Sequence, residues 1–477
     1  MARMFSGIAL VLAFAVLLVP LAVYAGPPVL KALSGTGVER QAAVPSYQRP
    51  PAEMTQVPYA ATLDPSAPLP DAAVLAALLD GELELTGSGT VSAVVTDVRT
   101  GTVLYDRNGA AAGMPASTLK ILTAVAAAST LEPDSRFETT VHAAPATGGG
   151  TALVLRGGGD VLLGSGISDD DAVVGRAGLA SLAEESVKAL GSSAGTVRIQ
   201  VDDTLFSGPS LSDAWNAADV EAGEIAPIYP LAVNSAWTDE SRQSGEREED
   251  AALAAAEAFR AALAEAGQDR GLEVAESVER GTVPAGARRI AAVESATVAE
   301  QLEQMLLISD NYLAEALARS AALAAGRDAS FAGAVDTVKA QAAALGIDTT
   351  GMALADVSGL AAENEVSARQ LTEAVTLVLT SNDEGLRAVA RGMPVAGLSG
   401  TLQGRYDDDA DDAAGAGLVR AKTGTLFEVT ALGGYVTDAD GRLLAFALVA
   451  RGLEGNTGQA RSAVDSAAAV LAGCGCR

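Results

Sequence analysis

The sequence predicts an α+β fold: an antiparallel sheet flanked by helices, split by an inserted mixed segment. Three observations carry this. Short alternating runs joined by tight turns occur near both ends of the folding region, at 91–97 with 102–105 and at 432–436 with 443–450. Long Ala-rich runs with helical spacing occupy 248–266, 295–319, 331–345 and 458–471. Between 140 and 285, strand-like runs such as 153–160 and 196–203 mix with helical ones, so that stretch reads as an insertion with its own strands.

Composition narrows the function classes. The chain has 477 residues, 49% of them hydrophobic and only 4% aromatic, so its cores are built from Ala, Val and Leu. A net charge of −28 repels nucleic acid and anionic lipid, which excludes a nucleic-acid partner. The two cysteines, Cys474 and Cys476, form no cluster for a structural zinc, and a C-x-C closes too small a loop to stabilise a fold by chain entropy. The one histidine, His142, excludes a His-rich metal site and sits in a strand pattern. No metal and no cofactor are expected, and a serine nucleophile here has a base other than histidine.

Residues 5–25 are nearly continuous apolar sequence, with Arg3 before them and no charge from 4 to 28. Residues 1–25 read as a secretory signal or as a membrane anchor. Val23-Tyr24-Ala25 suits cleavage, and the length suits a single spanning helix. Either places the remainder outside the cytoplasm. Residues 26–80 hold nine prolines up to Pro70 and read as a linker, with a helix beginning near Asp71.

After the first hairpin and a loop over 109–114, Pro115 opens an apolar helical run containing Ser117 and Lys120. Three residues apart, the two side chains share a helical face. A serine hydroxyl is a poor nucleophile until a base takes its proton, and a lysine serves if burial or a nearby cation lowers its pKa. Ser309-Asp310-Asn311 lies within the 295–319 helical run, and Lys422-Thr423-Gly424-Thr425 leads into the last hairpin. Each tetrad or triad alone is commonplace: a capped helix, an exposed turn, a strand end. The three in this order are the known signature of serine β-lactamases and penicillin-binding proteins. The chemistry fits. Lys120 is the base for Ser117. Ser309 relays a proton to the leaving amine. Asn311 bonds a substrate amide or holds Lys120. Lys422 supplies positive charge for a substrate carboxylate and opposes protonation of Lys120. Thr423 bonds that carboxylate, and Gly424 lets a peptide backbone lie flat on the strand.

With these motifs on the page, the chain resembles the class C, low-molecular-mass penicillin-binding proteins, the serine-type D-alanyl-D-alanine carboxypeptidases and endopeptidases. The resemblance runs from about residue 91 to 472 and includes Arg156-Gly157-Gly158-Gly159-Asp160, 201–206, 226–234, Asp356-Val357-Ser358-Gly359-Leu360 and 397–402. It implies a penicillin-recognising (β-lactamase/transpeptidase-like) domain with a five-stranded antiparallel sheet, formed here by residues 81–139 and 286–477 around an insertion at 140–285. The nucleophile and the second motif are 309 − 117 = 192 residues apart, fewer than in the larger members, so one reduced insertion is expected. The resemblance also implies an oxyanion hole from the backbone N–H groups of Ser117 and Thr425, with Thr423, Gly424 and Thr425 binding substrate. Peptidoglycan peptides and β-lactam antibiotics are the implied partners. Ala361 and Ala362 depart from the polar residues usual after the fourth of these segments, and the acidic run 407–412 reads as a solvated loop.

The function expected is a D-alanyl-D-alanine carboxypeptidase, with endopeptidase activity not separated from it. A serine β-lactamase shares all three motifs but needs a deacylating glutamate after the second, and the large insertion argues against it. A catalytically idle, surface-anchored binding protein is disfavoured by the complete motifs.

Overall fold

The computed structural model describes residues 63, 66–146, 149–191, 196–241, 243–406 and 412–477. The signal or anchor at 1–25, most of the linker, and nearly all of the acidic run lie outside the described residues. In chain order the strands are β1 (Thr90–Asp97), β2 (Val103–Arg107), β3 (Ala112–Gly113), β4 (Arg136–Pro145), β5 (Thr151–Arg156) and β6 (Thr196–Asp202). They continue with β7 (Glu273–Arg280), β8 (Arg288–Thr297), β9 (Val366–Ser367), β10 (Arg420–Leu426), β11 (Val429–Thr437) and β12 (Leu443–Arg451).

The first hairpin and the last three strands form one sheet in the order β10-β11-β12-β1-β2. Every pairing in it is antiparallel, with Ala93 opposite Leu448 and Leu432 opposite the same Leu448. Alternation along β12 sends Leu444, Phe446 and Leu448 to one face and Ala445, Ala447 and Val449 to the other. The large residues pack under the helices Ala72–Glu82 and Thr457–Gly473. The small ones face the helix Ala368–Thr380, which can therefore sit close, and the serine-bearing turn Ala116–Leu119 packs beside it on β10 and β11. A methyl on Gly433 would stand 3.1 Å from Ile121 Cδ1.

The helix Ala72–Glu82 falls within the stretch expected as a linker up to residue 80. Asp71 caps it, accepting from Ala73 and Val74, and Leu75, Leu79 and Leu83 are buried in the core, so the fold begins about ten residues earlier. Cys474 and Cys476, bonded to each other, are buried in the same core. No helix among the described residues is long and apolar enough to cross a membrane.

The second sheet shares no strand with the first. Its order is β7-β6-β5-β4-β8, with β5–β6 and β6–β7 parallel and the rest antiparallel. Helices Leu179–Leu190 and Ala251–Gly267 cover it over a separate core of Leu153, Leu155, Val197, Ile199, Leu182 and Phe259. It extends beyond 140–285 at both ends, because the chain leaves on β4 and returns on β8. Arg136 pairs with Thr297 across them, and Phe137 N donates to Ser295 Oγ at 2.9 Å.

The expected long helix over 295–319 is two helices, Val298–Ile308 and Asn311–Ala324. Ser309 ends the first in the left-handed region, φ +63°, and Asp310 caps the second, accepting from Tyr312 N at 2.9 Å and Leu313 N at 3.3 Å. The break separates the second motif's two working side chains.

Candidate active site

The nucleophile sits at a junction. Residues Ala116–Leu119 form a 3-10 turn that runs into the helix Lys120–Ala128. Ala116 has φ +48°, a conformation that costs an L-residue of order 1 kcal/mol and persists only when its surroundings enforce it. Gly359 supplies part of that enforcement: a methyl there would lie 2.1 Å from Ala116 O, so this position admits only glycine. Across the site a methyl on Gly424 would lie 3.0 Å from Pro115 O and 3.2 Å from Ser117 N. The third motif's strand is thus against the nucleophile's backbone.

Lys120 is fully buried. Its Nζ lies 3.0 Å from Ser117 Oγ, 2.5 Å from Asn311 Oδ1 and 2.6 Å from Ser358 O. These three neighbours take up the amine's three free tetrahedral directions. Asn311 Oδ1 and Ser358 O can only accept, so they take two N–H bonds. What faces Ser117 Oγ is then a lone pair when the amine is neutral. Burial lowers the Lys120 pKa to about 8, against the opposing charges of Asp356, Asp310, Glu315 and Glu224.

Lys422 is fully buried too, with Nζ 2.8 Å from Ser309 Oγ and 2.7 Å from Thr423 O. Burial, then Lys120 and Arg405, hold its pKa well below the ordinary lysine range. The expectation of a lysine reading the carboxylate directly is refined by this placement. The amine stands behind Ser309 and Thr423, and Thr423 Oγ1 bonds Thr401 Oγ1 at 2.7 Å. Thr425 is exposed on the same strand, whereas Thr423 is buried. All the predicted site residues, Ser117, Lys120, Ser309, Asn311, Lys422, Thr423, Gly424 and Thr425, line this one junction. His142 is on β4 in the second sheet, bonded to Thr140 Oγ1 at 3.1 Å. Among the described residues no cluster of His, Cys, Asp or Glu is placed to hold a metal.

Sequence reasoning missed the contributions of the insertion and of backbone carbonyls. Glu224 O accepts from Asn311 Nδ2 at 2.9 Å, fixing the amide so that Oδ1 faces Lys120. Asp310 is held by Ser235 Oγ and by Arg247, 3.7 Å away, whose guanidinium lies 3.6 Å from the Trp237 ring centre. The segment 226–234, one of those that carry the family resemblance, lies between two of these contributors, Glu224 and Ser235, but the resemblance assigned it no contact with the second motif. Nothing in the residue types says which carbonyl points where.

An antiparallel sheet with a serine-bearing helix packed on it, and three motifs converging at the helix start, define the penicillin-recognising class of serine enzymes. The D-Ala-D-Ala carboxypeptidase 3 (S13) family matches residues 71–252 and 241–472. Carboxypeptidase DacB of Mycolicibacterium smegmatis is 39% identical over 90% of this chain and 89% of its own length. Carboxypeptidase Rv3627c of Mycobacterium tuberculosis is 35% identical over 91% of each. The crystal structure of penicillin binding protein 4 (dacB) from Haemophilus influenzae superposes with a TM-score of 0.62 at 23% identity, covering 82% of this chain and 97% of that one, a likeness of fold. The chain belongs to the D-Ala-D-Ala carboxypeptidase 3 (S13) family. It is a serine-type D-alanyl-D-alanine carboxypeptidase.

Proposed function

We propose that Ser117 is the nucleophile and Lys120 its base in hydrolysis of the terminal D-alanyl-D-alanine bond of peptidoglycan stem peptides. The observation that carries this is the Lys120 amine, buried, with two N–H bonds committed and its third direction on Ser117 Oγ at 3.0 Å. The Oγ proton passes to Lys120 as Oγ bonds the peptide carbonyl carbon. The oxyanion is received by the N–H groups of Ser117 and Thr425. As the C–N bond breaks, Ser309 Oγ gives its proton to the departing D-alanine nitrogen and is resupplied from Lys422, 2.8 Å behind it. Before deacylation the proton on Lys120 is passed on and Lys422 is reprotonated, which restores the neutral Lys120 amine; water then attacks the acyl carbon, Lys120 takes the water's proton, and Ser117 Oγ recovers it as the acyl–Oγ bond breaks. The substrate's terminal carboxylate is bound by Thr423 and Thr425, and its charge favours the ammonium form of Lys422.

β-Lactams carry a carboxylate and a reactive carbonyl, and one structural neighbour is recorded in complex with a β-lactam. The same serine is the site of penicillin binding on this reading. The apolar stretch 5–25 delivers the enzyme outside the cytoplasm, as a cleaved signal or as an anchor to the outer face of the membrane. Residues 26 to about 65 act as spacer, and the mixed lobe around β4–β8 is an insertion in the catalytic domain. The test is mass spectrometry of the intact protein after exposure to a fluorescent penicillin. One stable adduct, mapped to Ser117, is expected. Turnover of nitrocefin at many per second would point instead to a β-lactamase.

A further inference from the structure

The helix that begins at the second motif carries more than Asn311. Asn311, Glu315 and Arg319 follow at intervals of four, so they line one stripe, about 6 Å apart along the axis. Glu315 is fully buried, and its Oε1 accepts from two successive backbone N–H groups, those of Val357 and Ser358, each at 3.0 Å. The carbonyl of that Ser358 is the acceptor for Lys120 Nζ. Thr123, one turn beyond Lys120, donates to Val357 O at 2.5 Å. The 357–358 peptides are therefore tied to the serine-bearing helix on one side and to Glu315 on the other. Asp356 fixes the rest of the loop, accepting from Gly359 N, Leu360 N, Ala361 N, Ser358 Oγ, Asn364 Nδ2 and Trp215 Nε1.

We propose that Glu315 is a positioning residue for acylation: it pins the 357–358 peptides so that the Ser358 carbonyl holds Lys120 Nζ against Ser117, and its negative charge, behind that peptide, contributes with Asp356 and Asp310 to setting the pH at which the amine accepts a proton. This rests on the assignment of Lys120 as the base. The choice of a carboxylate is the telling point. A buried charge is costly unless paired, and a glutamine would accept the same two hydrogen bonds without one. Nor is the charge spent on an ion pair with the next cation along the stripe. Arg319 lies over the Phe331 ring, 4.0 Å from its centre, with Nε and Nη2 unbonded, and Glu315 Oε2 is unbonded as well. The groups facing Glu315 are Asp356 and Arg319, and those facing Lys120 are Asp356, Asp310, Glu224 and, across the site, Lys422. Burial, then Asp356, raises the Glu315 pKa to about 7, so it titrates next to the base it supports.

The test measures labelling rate by fluorescent penicillin against pH, from about 5 to about 10, on the full chain and four variants, with thermal unfolding of each. A negative neighbour raises the pKa of a lysine, so Glu315→Gln moves the acid limb to lower pH, by about 0.5–1 unit. Glu315→Ala loses the clamp as well and lowers the high-pH plateau by about 10–100-fold, below that of Glu315→Gln. Thr123→Val cuts the opposite tie without changing charge; its plateau falls and its limb stays where the wild type's is. An acid limb for Glu315→Gln that superimposes on the wild type's, or a wild-type plateau for Glu315→Ala, overturns the proposal. If both Glu315 variants unfold at the assay temperature, a wild-type plateau for Thr123→Val does so. Lys120→Ala is the control. Its loss of labelling alongside an unmoved Glu315→Gln limb rejects the role of Glu315 alone, whereas wild-type labelling by Lys120→Ala rejects the base assignment and this proposal with it.

Discussion

Two five-stranded sheets lie in the described chain, and they meet the active site in different ways. The sheet β10-β11-β12-β1-β2 is antiparallel throughout, offers a face of Ala445, Ala447 and Val449 to the helix Ala368–Thr380, and seats the serine-bearing turn Ala116–Leu119 on β10 and β11. Its edge strand β10 carries the third motif straight past Ser117. The sheet β7-β6-β5-β4-β8 has two parallel pairs and its own core, and none of its strands carries a predicted catalytic side chain. Among the described residues it reaches the site through the loops between β6 and the helix Ala251–Gly267, which supply Glu224 O, Ser235 and Arg247. Small residues on a sheet face permit close approach, and close approach places reacting groups. A lobe with a separate core can act only at its rim, by holding what the first sheet has placed.

If that division is right, the largest effect belongs to the first sheet's helix. Lys120→Ala removes the base and a buried amine but no core volume that the sheet depends on. Acylation by penicillin should fall by about 10²–10⁴-fold while the thermal midpoint holds or rises. In wild type the neutral amine is the active form, so the acylation rate should climb through a pH of about 8 and be lost below it. A labelling rate for Lys120→Ala equal to wild type would remove the base from this sheet altogether.

Lys422→Ala comes next. One charge-assisted hydrogen bond contributes about 1.5–3 kcal/mol, so acylation by peptide and penicillin should each drop roughly 10–100-fold. Amidating the substrate's terminal carboxylate should cost wild type heavily and Lys422→Ala much less. Equal losses in the two enzymes would mean that Lys422 does not read the carboxylate.

Legibility follows the same division. Ser117-x-x-Lys120, Ser309-Asp310-Asn311 and Lys422-Thr423-Gly424 are side-chain chemistry at fixed short spacing, and residue types state it directly. The antiparallel hairpins were legible because turns such as Asp440-Gly441 mark them. The break at Ser309 was not, because Leu302, Met305, Leu306 and Leu313 keep a helical period across it while a left-handed residue and a new cap interrupt the backbone. The helix Ala72–Glu82 was legible from Asp71 onward, but not its place in the core, because the prolines before it carried the linker reading on to residue 80. The carbonyls of Ser358 and Glu224 were beyond reach because every residue has a carbonyl, and only the fold decides which two face Lys120 and Asn311.

The smallest expected effect is the one that separates rim from core within the second lobe. Asn234, Ser235 and Ala236 are three successive residues with positive φ, +38°, +54° and +66°, a run that costs about 1–3 kcal/mol per residue unless held. Ser235 is what holds it. Its N–H donates to Val161 O at 2.7 Å, its carbonyl accepts from Arg247, and its hydroxyl bonds Asp310, the cap of the helix bearing Asn311. Ser235→Ala deletes only the last of these, and Asp310 keeps Tyr312 N and Leu313 N, so acylation should slow by about 3- to 10-fold with little loss of stability. Phe259→Ala instead empties a fully buried site in the helix that packs on β6 and β7, and should cost about 3–5 kcal/mol, seen as earlier thermal unfolding, with no change in acylation rate below that transition. The rim variant is then the more active in stability and the less active in catalysis. Were Phe259→Ala to slow acylation while still folded, the second core would be coupled to the site, and the insertion would be part of the catalytic domain in energy as well as in sequence.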